Sequence, residues 1–143
     1  MRSTGSSNGS RATVILDSSF LIDLMNADED AIAVATELES VDEPQRVPAQ
    51  VVYELYVGAG YTDRAFEEID EIQSVLEFRP VVPLTDEIAR HAGRIDGRLR
   101  RDGNRIGQGD VTIAATAIRH DEAVVTGNPR DFRRIPDVIV RDY

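Results

Sequence analysis

The sequence predicts an α/β protein: a three-layer α/β/α sandwich around a short, mainly parallel central sheet. Short β-branched and apolar runs alternate with amphipathic helical repeats along the chain, the order expected of a parallel sheet covered by helices on both faces. The length of 143 residues, without an evident repeat, suits one domain, since ~100 to 150 residues is the commonest domain size. A hydrophobic content of 41% supplies a core, and no apolar run reaches the ~18 residues that read as a bilayer span. The opening "MRSTGSSNGSRA" is polar, with no apolar core of a signal peptide. Residues 1–11 are therefore expected to be a flexible polar tail, residues 12–143 a single domain, and the protein cytoplasmic, with no membrane partner.

Thr13 to Leu16 read as a strand that stops at Asp17, after which Ser18 or Ser19 can cap a helix carrying Phe20, Leu21 and Leu24. Asp28, Glu29 and Asp30 open a second helix, where acids suit the positive end of the dipole, and Ile32, Ala35 and Leu38 or Glu39 continue it to about Ser40. Arg46 and Val47 form a short extended piece between prolines. A helix from about Ala49 follows, with Gly58 and Gly60 as its stop. Residues 62–76 carry Phe66, Ile69, Ile72 and Leu76 at helical spacing, and "FRPVVPL" holds a second proline-flanked strand. Thr85 caps the clearest helix, whose apolar stripe is Ile88, Ala92, Ile95 and Leu99 and whose opposite stripe is Arg90, Arg94, Arg98 and Arg101. The glycine-rich "RDGNRIGQG" leads to a small-residue helix from Asp110 to His120. A strand at 123–126, a polar loop and a last strand in "DVIVRDY" complete the chain.

Composition removes several chemistries. Cysteine is absent, so disulfides, thiolate metal sites and a cysteine nucleophile are excluded; His91 and His120 alone cannot build a conventional zinc site and are assigned to local hydrogen bonds. All 16 basic residues are arginine, which excludes a phosphate loop ending in lysine and Schiff-base chemistry. Any metal must be held by oxygen.

In an open parallel sheet, ligands bind beyond the carboxyl ends of the strands. Asp17 ends the first strand, Asp131 lies in the loop after the strand at 123–126, and Asp110 starts a helix, so three carboxylates can share one edge. Glu54 interrupts the apolar stretch Val51 to Val57, where a charge is costly unless paired or bound to a cation. Carboxylates 4 Å apart repel by ~4 kcal/mol per pair at an effective dielectric of ~20. A cluster of four is thus tolerable mainly around a divalent cation, and hard oxygen donors select Mg²⁺ or Mn²⁺. Taken singly, each acid also fits a local role: Asp17 or Asp110 as a helix cap, Asp131 in an Asx-turn, Glu54 on a solvent face. Spacing alone does not decide between them.

Four blocks decide it by resemblance. "ILDSSFLIDL", "PAQVVYELYVGA", "LRRDGNRIGQGDVTIAATAIRH" and "AVVTGNPRDFRRIPDVIV" together resemble the PIN-domain ribonucleases, in particular the VapC toxins of type II toxin–antitoxin systems. The resemblance runs from about Val14 to Val140. It implies a PIN-like nuclease domain over 12–143 and Mg²⁺-dependent hydrolysis of RNA by metal-activated water. Asp17, Glu54, Asp110 and Asp131 correspond to the catalytic acids, with Asp17, Asp110 and Asp131 as metal ligands and Ser18 and Asn128 in support. Many relatives carry an aspartate where this chain has Asn128; others have asparagine there and an acid three residues later, as at Asp131. The resemblance also implies a homodimer and a cognate antitoxin whose tail enters the acidic groove, with Phe20, Leu24, Tyr56 and Tyr61 as candidate contacts.

The arginine stripe reads first as a solvated helix face. Arg100, Arg101 and Arg105, nearest the loop before Asp110, are the RNA-binding candidates. Two other functions fit the same residues: a housekeeping PIN nuclease in RNA maturation, and a catalytically silent PIN-like binding module. A haloacid dehalogenase-like phosphatase or a phospho-receiver also places an aspartate after the first strand, but both need a lysine. A net charge of −10 is unusual for a protein that touches nucleic acid. It suits a chain from concentrated salt, where charge reaches only ~3 Å at ~1 M. The melting midpoint is accordingly expected to rise between dilute buffer and molar salt; a flat or falling midpoint contradicts this reading.

Overall fold

Val14, Ile15 and Leu16 form β1 and are buried on both faces of the sheet, which is why this strand reads as continuous apolar sequence. The computed structural model describes residues 13–143; the tail expected over residues 1–11 lies outside them. After β1 come α1 (Ser18–Met25) and α2 (Glu29–Ser40), then β2 (Gln45–Pro48), α3 (Ala49–Tyr61), α4 (Ala65–Leu76), β3 (Val81–Val82), α5 (Asp86–Arg101), α6 (Gln108–Arg119), β4 (Ala123–Val125) and β5 (Val140–Arg141). A 3₁₀ turn at Phe132–Arg134 lies between β4 and β5. All paired strands are parallel and the order is β3-β2-β1-β4-β5, so the expected three-layer α/β/α sandwich is the observed one. No described helix is long and apolar enough to cross a membrane.

The order has a functional consequence. From β1 the chain moves outward to β2 and β3, then returns across to β4 on the other side of β1, so the β1/β4 border is where the winding reverses. Leu16 pairs with Val125, which sets Asp17 level with Thr126 at the carboxyl ends of these two strands. Below this rim the core includes Leu16, Phe20, Leu21, Val47, Val51, Ile113, Val124 and Phe132. Fully burying each large apolar side chain contributes ~1.5 to 3 kcal/mol. α6 is buried along Val111, Ile113, Ala114, Ala115, Thr116 and Ala117, its alanines allowing close approach to the sheet.

Several local expectations change. α3 runs through Gly58 and Gly60 to Tyr61, because a glycine weakens a helix by about 1 kcal/mol without ending it when packing holds the rest. Ile32 and Phe66 face solvent; the buried side of α2 is instead Ala31, Val34, Ala35 and Leu38. Phe20 is fully buried and so is not a surface contact, whereas Tyr61 is 90% exposed. Helix α6 begins at Gln108, two residues before Asp110. The last strand is confined to Val140 and Arg141. His91 does not satisfy its hydrogen bonds locally, since its Nδ1 is buried without a partner.

At the opposite end of the sheet, Glu122 is buried and meets Arg46 of β2 at 2.8 Å. The contact is an ion pair without hydrogen-bond geometry: both Glu122 oxygens and Arg46 Nε lack a hydrogen-bond partner. Removing one member of such a pair strands the other, at ~3 kcal/mol or more, whereas replacing both with apolar groups is often neutral. Glu122→Ala is therefore expected to lower urea stability by about that amount, and Arg46→Met combined with Glu122→Leu to recover most of it; equal losses in both variants would contradict this account.

Candidate active site

Asp17 occupies the N-cap position of α1, but its side chain makes no capping bond. It turns instead into the β1/β4 crevice. Its Oδ2 accepts hydrogen bonds from Ser19 Oγ and from Thr126 Oγ1, both at 2.8 Å. Each hydroxyl has one proton, and both are directed to the carboxylate. Backbone N–H groups complete the hydroxyls' partners: Gly127 N donates to Ser19 Oγ at 3.0 Å and Asn128 N to Thr126 Oγ1 at 2.9 Å. The second oxygen, Oδ1, is buried and has no hydrogen-bond partner, in a residue only 4% exposed. A bare buried carboxylate oxygen is costly, and a hard cation is the partner its chemistry suits.

Asp110 stands in the first turn of α6 and is half-buried. Burial pushes its carboxyl up to about 6, and the charges of Asp17, Glu54 and Asp131 push the same way. These four acids therefore share one electrostatic neighbourhood, although they come from β1's end, α3, α6 and the loop after β4. Glu54 is positioned by Gln50 one turn earlier, whose Nε2 donates to Oε2 at 3.0 Å. It also lies directly against Gly109: a methyl group there would collide with Glu54 Oε2 and come within 3.0 Å of Gln50 Nε2. Asp131 begins the 3₁₀ turn without a side-chain capping bond and lies 3.9 Å from Arg134 Nη1. The acids do not close into a ready-made cage; among the described residues no three His, Cys, Asp or Glu side chains form a group that could hold an ion as they stand. The donor set fits a divalent cation by its all-oxygen chemistry, by the orphaned Asp17 Oδ1 and by the mutual repulsion raised at Asp110.

The supporting residues differ from those expected. Ser19, not its neighbour Ser18, is the hydroxyl bonded to Asp17. Asn128 is exposed, and it is its backbone N–H that bonds Thr126 Oγ1. Thr126, fully buried at the end of β4, was not singled out from sequence; parallel pairing of "VIL" with "AVV" is the signal that would have set it beside Asp17. Of the basic candidates, Arg100 is paired with Asp96 at 3.1 Å and Arg101 with Asp102 at 3.4 Å. Arg105 is exposed and, among the described residues, makes no ion pair within 4.0 Å.

With this geometry in place, comparison with known proteins assigns the class. A family model described as PIN domain matches residues 14–138, and the chain belongs to the PIN-domain family. Over 129 residues it is 22% identical to Ribonuclease VapC2 of Rickettsia felis, covering 90% of this chain and 96% of that protein. The tRNA(fMet)-specific endonuclease VapC of Salmonella typhimurium is 30% identical over 90 residues, 63% of this chain and 68% of that protein. The crystal structure of VapBC2 from Rickettsia felis bound to a DNA fragment from their promoter shares the fold, with a TM-score of 0.83 at 21% identity over 92% of this chain and 98% of that one.

The raised Asp110 value has a definite sign in stability. The folded state holds this proton up to about 6, while the free carboxyl releases it near 3.8. The contribution therefore favours folding fully below about 3.8 and is lost as pH rises through about 6. In chelator, Asp110→Asn is expected to melt higher than the parent at neutral pH and to flatten the decline between these two values; an unchanged pH profile would contradict the burial and crowding of this carboxyl.

Proposed function

We propose that this chain is a Mg²⁺- or Mn²⁺-dependent endoribonuclease of the cytoplasm, acting as the toxin of a type II toxin–antitoxin pair and working as a homodimer. The observation that carries the nuclease reading is the buried, unpartnered Oδ1 of Asp17, in a residue whose charge, with those of Glu54 and Asp131, adds to burial in raising the proton affinity of Asp110. Asp17, Asp110 and Asp131 would hold the cation. When bound, it supplies charge neutralisation and acidifies water for attack on a phosphodiester. Ser19 and Thr126 keep Asp17 in one orientation by occupying Oδ2. Glu54, with Oε2 held by Gln50, is the acid left to take a proton from the attacking water. Of the three arginines Arg100, Arg101 and Arg105, Arg105 is the one left to meet the phosphate backbone, because Arg100 and Arg101 are engaged by neighbouring acids.

The relatives' names support RNA as the substrate, and their solved complexes support a cognate antitoxin. A groove between α1, α3 and α4, lined in part by Ile22, Met25, Leu55 and Ile72, runs to Glu54 and offers the antitoxin a path to the acids. A second reading, a silent PIN-like binding module, is favoured by the absence of a closed three-acid cage among the described residues.

Purified protein with Mg²⁺ is expected to cleave RNA. Asp17→Asn should lower the rate by at least about a hundredfold with the circular dichroism spectrum retained, as should chelator. Full activity in either condition would overturn the metal-nuclease reading, and absence of Mn²⁺ binding in the parent would favour the silent module.

A further inference from the structure

Tyr143, just beyond β5, reaches back to the rim of the sheet. Its hydroxyl donates a short hydrogen bond to Asp23 Oδ2 of α1, and its ring meets the edge of buried Phe20 with centroids 5.6 Å apart and planes at 65°. Burial, the Asp23 bond and the charges of Asp23, Asp28 and Asp17 all raise the affinity of this hydroxyl for its proton. The proton thus stays on Tyr143, which remains a donor.

The pair sits on Gly127. A methyl group at that position would collide with the Tyr143 hydroxyl, and would lie 2.9 Å from Asp23 Oδ2 and 3.0 Å from Tyr143 Cζ. Tyr143 and Asp23 therefore fill the place of a side chain that residue 127 lacks. Gly127 in turn donates its N–H to Ser19 Oγ at 3.0 Å, and Ser19 donates to Asp17 Oδ2 at 2.8 Å. The contacts form one line from Tyr143 to the carboxylate whose other oxygen is bare.

We propose that Tyr143 and Asp23 are positioning residues for the nuclease site: clamped over Gly127, they hold its N–H on Ser19 and so fix the orientation of Asp17 toward the cation. The inference rests on the metal-nuclease reading of the same site. Neither residue touches the reacting atoms. They act as outer partners of a ligand, whose loss typically weakens metal affinity or activity by ~10- to 100-fold. Tyr143→Phe removes the hydroxyl and keeps the ring against Phe20, so it separates positioning from packing.

The test is Mn²⁺ binding by electron paramagnetic resonance in full-length protein, beside RNA cleavage. Tyr143→Phe is expected to weaken Mn²⁺ binding about tenfold and lower kcat to a similar extent, with KM for RNA and the melting midpoint near those of the parent. Gly127→Ala, which displaces the clamp, should do the same. Because the effect passes through Ser19, Ser19→Ala combined with Tyr143→Phe should bind Mn²⁺ no more weakly than Ser19→Ala alone. Parental Mn²⁺ affinity in Tyr143→Phe, or additive losses in the double variant, overturns the clamp and leaves the nuclease reading standing. A parent protein that neither binds Mn²⁺ nor cleaves RNA overturns both.

Discussion

One unsatisfied oxygen organises the functional end of this molecule. Asp17 sits where the central strand stops, with Oδ2 taken by two hydroxyls and Oδ1 buried without a partner. Folding ordinarily removes such groups, since a buried acceptor left bare costs about 1 to 3 kcal/mol, and more when charged. Here the surroundings increase the difficulty instead, because Asp110, Glu54 and Asp131 bring further negative charge to the same place. A region arranged against its own stability is characteristic of a binding site, and the all-oxygen donor set restricts what can be bound.

The parallel sheet makes this arrangement possible without distorting the core. Its winding reverses at the β1/β4 border, so two strand ends open side by side while helices approach from either hand. Each acid is then delivered by a separate element: Asp17 by β1, Glu54 by α3, Asp110 by the first turn of α6, and Asp131 by the turn after β4. The apolar body beneath, which includes Leu16 and Phe132, anchors the elements that carry them. The other end of the sheet has the reverse chemistry, for there the buried acid Glu122 is matched by Arg46. One end is neutralised within the chain; at the other, neutralisation is the part given to the proposed cation.

Much of this was legible in the residues. Alternating strands and helices fixed the class of fold, and the stripe Ile88, Ala92, Ile95 and Leu99 identified α5 because amphipathic periodicity survives in a single sequence. The four acids were picked out through the motif blocks, and in the structure the charges of Asp17, Glu54 and Asp131 all reach Asp110. What was not legible depends on register and direction. Ser18 and Ser19 are identical letters, and only the turn into α1 determines which hydroxyl faces Asp17. Thr126 and Tyr143 lie more than a hundred residues from their partners, where no local pattern points. Phe66 occupied a helical apolar position in the sequence, yet α4 presents it to solvent. Arg100 and Arg101 looked available until Asp96 and Asp102 were seen beside them.

Gly109 carries an implication for the wider family. Its missing side chain is the space in which Glu54 rests, one residue before Asp110. Because the obstructing atom is the far end of a flexible glutamate, an alanine there would relocate the charge with little disturbance to the helices. Such a homologue would keep every acidic letter of its motif and still lack the arrangement. The acidic letters alone would then not report where the charge at position 54 lies; the residue at position 109 bears on that as well.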